Sequence, residues 1–424
     1  MLDIVSSLGP WLAPGEAPFA VATVVAVGGS VPRPVGTSMA VRGDEIVGSL
    51  SGGCVEAAVI EACHEAALTG RAHRESFGWS ADDAFAVGLT CGGTLDVHVQ
   101  PVDPGAGHAA LDALRAVAAA PADDPAVLVR RIAGDVADDG PRPGGPVAVL
   151  LGTAARGTDG AELDRRLRPP RRRPGLPGAA AQVAALVRTG TSGTLRFSAH
   201  GGGPVPQDCD LTDDAPVTLL VETRLPAPRM IVCGANDHGA ALVAAAPLLG
   251  YRVTLVDGRP LFADPRRFPG AEVVVAWPDR YLAAEVDAGR VDERTVVAVL
   301  SHDAKFDVPL LALALRSDLA FVGAMGSRRA HADRVAALRD AGVTGAELAR
   351  LRSPIGLDLG GVTPAETAVA ILAEVVAGHR HRTGPGIDGS SSPGGTRTGF
   401  APLSATDGPI HPTSTPTDGD SSWT

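Results

Sequence analysis

The chain has 424 residues, 45% of them hydrophobic and 20% charged, which is ordinary for a globular protein and long enough for two or three separate cores. Its net charge of -11 argues against a general nucleic-acid binder, because neutralising phosphates takes clustered positive charge. No apolar run approaches the roughly 20 residues of a membrane helix, Met1 to Leu12 lacks the basic start of a secretion signal, and five cysteines without C-x-x-C spacing argue against a disulfide framework or a zinc site. A cytoplasmic protein without membrane or nucleic-acid partners is expected.

Phe19 to Val27 is rich in β-branched residues and reads as a buried strand. Gly28-Gly29-Ser30-Val31-Pro32-Arg33-Pro34 follows, with Arg33 held between two prolines. Such a rigid placement suits an anion contact, and a surface charge beside a turn explains it as well. Strands at Thr37 to Arg42 and Glu45 to Leu50 lead into Ser51-Gly52-Gly53-Cys54-Val55-Glu56. Val55, Ala58, Val59, Ala62 and Ala66 then have helical spacing and predict a helix from Val55 to Leu68.

Ser51-Gly52-Gly53 therefore falls at a strand-to-helix junction, where backbone N–H groups and the helix dipole favour an anion. Cys54 is expected in the first helical turn, a position that lowers a thiol pKa. Trp79 to Thr90 is acidic and glycine-punctuated and is expected to be a mobile flap. It leads into Thr90-Cys91-Gly92-Gly93, a second cysteine beside paired glycines, and then into an alternating strand from Thr94 to Val99. Cys54 and Cys91 read either as functional thiols or as small residues where glycine-rich backbone packs tightly. Cys63 and Cys233 lie in apolar segments and are expected to be buried, Cys209 lies in a polar loop, and His64 and His98 read as structural.

A helix from His108 to Ala119 and strands at Ala126 to Ile132 and Pro146 to Leu151 come next. Residues 165–178 read RRLRPPRRRPGLPG, a solvated linker by composition or a local insertion or reading-frame disturbance. No aromatic residue is interleaved with the arginines, which disfavours a nucleic-acid patch. A helix is expected at Val183 to Arg188 and a strand at Val217 to Glu222.

From Arg229 the pattern becomes strand, turn, helix, strand. Met230 to Cys233 is a strand, Gly234 to Gly239 a turn, Ala240 to Leu249 a helix, and Tyr251 to Val256 a strand ending in Asp257. Asp257 lies 23 residues past Gly234, near the spacing of the ribose-binding acid in a Rossmann βαβ unit. The turn lacks the middle glycine of G-x-G-x-x-G, which weakens the case for a dinucleotide. Further strands at Glu272 to Ala276, Thr295 to Ser301 and Leu319 to Val322 alternate with helices and predict a doubly wound parallel sheet. Ligands of such sheets sit at the carboxyl ends of the strands. Asp257-Gly258-Arg259, Ser301-His302-Asp303 and Gly323-Ala324-Met325-Gly326-Ser327-Arg328-Arg329 all lie there. His302 with Asp303 reads as an acid/base pair or as a polar cluster at a strand end. The Gly326 to Arg329 turn offers N–H groups and guanidiniums to an anion. Thr363, Pro364 and Glu366 mark the start of a helix running to about His379. The tail 383–424 is dominated by Gly, Pro, Ser and Thr and is expected to be disordered.

Gly-Ser-x-Pro-Arg-x-x-Gly-x-x-Met, Gly-Gly-Cys-x-Glu and Cys-Gly-Gly, in that order, resemble the amino-terminal domain of the XdhC/CoxI family of molybdenum-hydroxylase accessory proteins. SHDxxxD, GxxGSRR, PIGLDLG and TPAETAVAILAE resemble the family's Rossmann domain. The resemblance covers roughly residues 15–380 and implies an XdhC/CoxI-type α/β domain at 15–225, a Rossmann-like domain at 229–380, and a site in the cleft between them. It implies a maturation factor that binds the molybdenum cofactor (molybdopterin), protects it, and assists its sulfuration and insertion into a xanthine dehydrogenase- or CO dehydrogenase-like apoenzyme. The apoenzyme and a cysteine desulfurase would be its partners, with a homodimer as a further expectation. The cofactor-binding residues would be Arg33, Gly52, Gly53, Cys54, Glu56, Cys91, Gly92, Gly93, Gly234, Asp257, Arg259, His302, Gly326, Ser327 and Arg328. Cys54 and Cys91 would be the soft ligands for molybdenum, and a nucleotide in the Rossmann half would be a second ligand.

Two other classes fit parts of this pattern. A nicotinamide-dependent oxidoreductase would use the Rossmann half, but the glycine fingerprint is incomplete and the chain has only two tyrosines. A non-catalytic scaffold bridging a desulfurase and the apoenzyme would need surfaces rather than a site.

Overall fold

The computed structural model describes residues 1–29, 31, 33–78, 93–106, 109–121, 123–133, 146–151, 178–197, 217–301, 303–382 and 401–406. The chain divides into two compact units, Met1–Pro226 and Ala227–Thr424. The flap expected at 79–90, the Arg/Pro-rich run up to residue 177, Cys209, and the site candidates Cys91, Gly92 and His302 lie outside the described residues.

The first unit contains β1 (Phe19–Gly28), β2 (Ser38–Arg42), β3 (Glu45–Gly48), α1 (Glu56–Thr69), β4 (His73–Phe77), β5 (Thr94–Val102), α2 (Ala109–Ala119), β6 (Ala126–Ala133), β7 (Pro146–Leu151), α3 (Ala179–Thr189), β8 (Gly193–Phe197) and β9 (Val217–Arg224). They form two antiparallel sheets, ordered β3-β2-β1-β5-β4 and β7-β6-β9-β8. β1 is apolar but for Thr23 because both its faces are covered. Ala20, Ala22 and Val24 pack with Val59, Ala62 and Ala66 of α1. Phe19 and Val21 pack with Leu114 and Val117 of α2 and with Leu128 of β6. Two strands escaped the sequence reading. β4 (HRESF) is an edge strand that buries only Phe77, and β8 is an edge strand whose residues before Phe197 are half-buried. Met1 to Leu12, placed outside the domain by the sequence, contributes Met1, Leu2, Val5, Leu8, Trp11 and Leu12 to its core.

Between the two sheets lies a buried polar centre. Arg130 of β6 donates through Nε to Glu222 of β9 (2.8 Å), through Nη1 to Gln100 of β5 (2.9 Å) and through Nη2 to Thr23 of β1 (2.9 Å). The Met1 amino group also bonds Glu222 and Ser38. Burial alone would raise the Glu222 pKa, but Arg130 and the amino group hold it below the ordinary carboxylate value. One guanidinium thus ties both sheets together.

The second unit holds β10 (Arg229–Cys233), α4 (Asp237–Ala245), β11 (Arg252–Asp257), β12 (Ala271–Val275), α5 (Pro278–Asp287), β13 (Val296–Val299), α6 (Ala304–Arg316), β14 (Phe321–Ala324), α7 (Arg328–Asp340), α8 (Gly345–Leu348), β15 (Leu351–Arg352) and α9 (Pro364–Arg382). Its six strands are parallel, in the order β12-β11-β10-β13-β14-β15. This is the 3-2-1-4-5-6 order of a Rossmann fold, with the order reversing between β10 and β13. Leu242 of α4 and Ile371 and Val375 of α9 cover one face. Leu282 of α5, Leu310 and Leu311 of α6, and Leu338 of α7 cover the other. The expectation of a structureless tail needs amending at 401–406. There Pro402 forms an antiparallel bridge with Leu357, and Leu403 is buried.

Arg130→Met removes one donor each from Glu222, Gln100 and Thr23, leaves the Glu222 charge to the Met1 amino group and Leu2 N–H, and is expected to cost about 3–5 kcal/mol, while adding Glu222→Gln, which removes the charge and keeps an acceptor for those two donors, should recover part of that loss. Urea melts of both single variants and the double variant check these values, and single losses that simply add in the double variant would show that the pair is not coupled.

Candidate functional site

The Ser51 to Glu56 turn binds an anion, and that anion belongs to the turn itself. Glu56 opens α1, and its carboxylate folds back to accept from the N–H groups of Ser51 (2.8 Å), Gly52 (3.0 Å) and Gly53 (2.7 Å) and from the Ser49 hydroxyl (2.8 Å). The Ser51 hydroxyl donates to the same carboxylate and accepts from the N–H groups of Cys54 and Val55. Gly52 (φ 81°) and Gly53 (φ 124°) supply the left-handed conformations the loop needs. Burial would raise the Glu56 pKa, but the Ser51 hydroxyl and N–H, Ser49 and Gly53 outweigh it and hold this carboxyl well below the usual range.

Gly52, Gly53, Cys54 and Glu56 are therefore brought together as expected, with the N–H groups already engaged. Cys54 itself precedes the helix, since Val55 is the N-cap residue (φ -117°, ψ -3°). This corrects its placement in the first turn. Its half-buried side chain packs at the edge of the core between α1 and the sheet. Gly93 is buried where β5 begins, and Arg33 is exposed. Burial pushes the Cys63 thiol up to about 12 and raises that of Cys233 as well, so both are poor nucleophiles.

In the second unit, Gly234, Asp257 and Arg259 meet at the strand ends beside the switch point. A Cβ on Gly234 would lie 2.9 Å from Ser301 N and 3.1 Å from Leu300 C, so the close approach of the β10 and β13 ends requires glycine there. The Asp257 carboxylate accepts from Ala235 N–H (2.8 Å) and from the N–H (2.9 Å), Nε (2.9 Å) and Nη2 (2.8 Å) of Arg259. Burial would raise its pKa, but Arg259 and Ala235 hold it below the ordinary value. Asn236 accepts from Gly239 N–H and donates to Leu300 O. Gly234 N–H goes to Val256 O, and Asn236 N–H to Gly234 O. These four N–H groups of the first βα turn are thus engaged within the protein. Nearby, Trp277 stacks on Phe306 with centroids 4.1 Å apart, and the Lys305 ammonium lies 5.5 Å from the Phe306 centroid.

Gly326, Ser327 and Arg328 line a separate cleft of about 650 Å³ at the end of β14, with walls from Arg329, His238, residues 354–361 and α9. Pockets for small ligands commonly have about this volume. Ser327 caps α7 by accepting from Ala330 N–H. Behind the turn, Arg334 donates to Ser353 Oγ and Met325 O, both at 2.9 Å, and holds the backbone in place. Arg328 donates through Nη1 to Leu403 O and through Nη2 to Thr406 Oγ1, both at 3.0 Å. His238, Gly360, Gly361 and Leu403 were missed as lining residues. The glycine-rich run after Pro354 was a usable signal, whereas nothing in a Gly/Pro/Ser/Thr-rich tail marks Leu403.

A six-stranded parallel sheet in Rossmann order, with an arginine-walled cleft at its strand ends, defines a Rossmann-type α/β protein. The chain belongs to the XdhC and CoxI family. The model of that family matches residues 11–78, and the model of the XdhC Rossmann domain matches residues 230–375. It is 26% identical over 181 residues to the uncharacterized protein YqeB of Escherichia coli, covering 43% of this chain and 32% of YqeB. It is 26% identical over 165 residues to a probable xanthine dehydrogenase component of Bacillus subtilis, covering 38% of this chain and 46% of that protein. The matches thus span less than half the length of these two relatives. The molybdenum cofactor insertion chaperone PaoD of Escherichia coli is 23% identical over 367 residues, covering 85% of this chain and 83% of PaoD. A crystal structure of a xanthine dehydrogenase from Bacillus halodurans shares the fold, with a TM-score of 0.53, 20% identity, and coverage of 89% of this chain and 96% of that one.

Glu56→Gln replaces an all-acceptor group with one that presents N–H to N–H and should cost about 2–3 kcal/mol, read by thermal unfolding at neutral pH. Because the folded pKa is depressed, the wild-type carboxylate stabilises fully above its ordinary value of 4.5, and this stabilisation fades as pH falls from there through the folded value. The Gln variant should lack that acid-side loss. In a Cys91→Ser, Cys209→Ser background, a thiol reagent at pH 8 should label half-buried Cys54 and spare Cys63 and Cys233. Labelling of all three at one rate would show that burial does not protect the latter two.

Proposed function

We propose that this protein is a molybdenum cofactor maturation factor that holds and delivers the cofactor to a xanthine dehydrogenase-like molybdenum hydroxylase. The observation that carries this reading is the alignment with PaoD along most of both chains, with both family domains in order. The cleft chemistry supports it. A pterin phosphate needs oriented N–H groups and guanidiniums, and Ser327, Arg328 and Arg329 stand at one wall. The residues present fit such a cargo there. Leu357 to Gly361 would supply the backbone edge of that cleft; in the first unit, Cys54 and Cys91 are soft donors suited to molybdenum or to sulfur destined for it. In this reading a cysteine desulfurase supplies that sulfur, and the apoenzyme receives the finished cofactor. Asp257 and Arg259 have a structural part, since each satisfies the other.

Chain purified from a host that makes the cofactor should carry pterin, detected as its fluorescent oxidation product. Arg329→Ala and Cys54→Ser should each reduce retention about tenfold, or about 1.4 kcal/mol, with little change in melting temperature. Wild-type chain without pterin, or sustained oxidation of NADH or NADPH with a small substrate, would overturn the reading.

A further inference from the structure

The C-terminal stretch of the chain returns to the cleft. Residues 383–400 are a run of 18, of which 14 are Gly, Pro, Ser or Thr. Beyond them, Ala401 and Pro402 run along the loop that follows β15, and Leu403–Ala405 forms a single 3-10 turn against it. Asp358 N–H donates to Ala401 O (2.9 Å), and Leu403 N–H donates to Gly356 O (2.8 Å). The Leu403 side chain forms part of the cleft lining and is only 8% exposed. Arg328 then grips the segment at Leu403 O and Thr406 Oγ1. The segment is thus held by a single antiparallel bridge at Pro402, one apolar anchor and one cationic clamp.

The seat is a weak one. Its other residues are half-buried or exposed, and Ser404 Oγ is buried with no hydrogen-bond partner among the described residues. One buried leucine and four hydrogen bonds are of the same order as the entropy lost in ordering six residues. A segment so balanced exchanges readily between seated and released states.

We propose that Ala401–Thr406 is a displaceable strap that occupies the Arg328 side of the cleft, so that an oxyanion-bearing ligand and the seated segment compete for the same guanidinium. This rests on reading the cleft as the ligand site. The strap keeps Arg328 oriented and partly covers the cleft when no ligand is bound. A ligand that offers Arg328 a charged acceptor displaces it, because a charge-assisted bond is stronger than one to a carbonyl or hydroxyl oxygen.

The test uses the full chain carrying Leu403→Ser, which removes the apolar anchor without adding a charge beside Arg328 and leaves the walls outside the segment intact. Hydrogen exchange at the Asp358 amide should quicken about twofold or more, with no change in β10. A fluorescein-labelled peptide of sequence GFAPLSATDG should bind this variant at least about twofold more tightly than it binds the wild-type chain, whose groove is filled part of the time. Unchanged exchange at Asp358, or equal peptide affinity for both chains, would overturn the strap. Pterin retention provides the third readout and should rise in the variant. If neither chain retains pterin, the maturation reading fails, while exchange and peptide binding still decide the strap. Equal non-zero retention in both chains would overturn the competition.

Discussion

Backbone N–H groups where a strand turns into a helix have no partner within the helix, and a buried turn cannot leave them unpaired. In this chain the acceptor is repeatedly a side chain of the same turn. Glu56 serves residues 51–53, Asn236 serves Gly239, Asp303 serves Lys305, Ser327 serves Ala330, and Thr363 with Glu366 forms a reciprocal box. The constraint shapes function as much as fold. Turns that look from their residues like empty anion cradles take an acceptor from their own side chains.

The same logic explains Asp257. Its position at a strand end suits a ribose hydroxyl, yet Arg259, two residues on, takes it first. Asp264 with Arg266 and Asp292 with Arg294 repeat this arrangement, each aspartate accepting from the backbone N–H and the guanidinium of the arginine two places later. The Asp257–Arg259 pair is therefore one instance of a local turn habit of the chain.

These distinctions show how much was legible in the sequence. The βαβ rhythm after Arg229 was readable because parallel strands are apolar on both faces and alternate with helices. β1 was readable for a related reason, being sandwiched between two cores. The edge strands β4 and β8 were not, since a strand that buries one residue carries almost no periodic signal. The pairing of the first unit's strands into two antiparallel sheets was also hidden, because it depends on Arg130, Gln100, Thr23 and Glu222 meeting from four separate strands. Glycines and cysteines marked the 51–56 turn correctly. What they could not show was which carboxylate would fill it, because that depends on the rotamer of Glu56.

The stack of Trp277 on Phe306 has a practical consequence. Lys305, beside Phe306, is the sole lysine in the chain and is exposed. An amine-directed dye would therefore meet a single side-chain ammonium, already positioned near an indole at the strand ends of the Rossmann sheet. Indoles quench many dyes on contact and transfer excitation to others over longer distances. The natural sequence thus carries a one-site optical reporter of this rim, with no residue needing to be exchanged to install it.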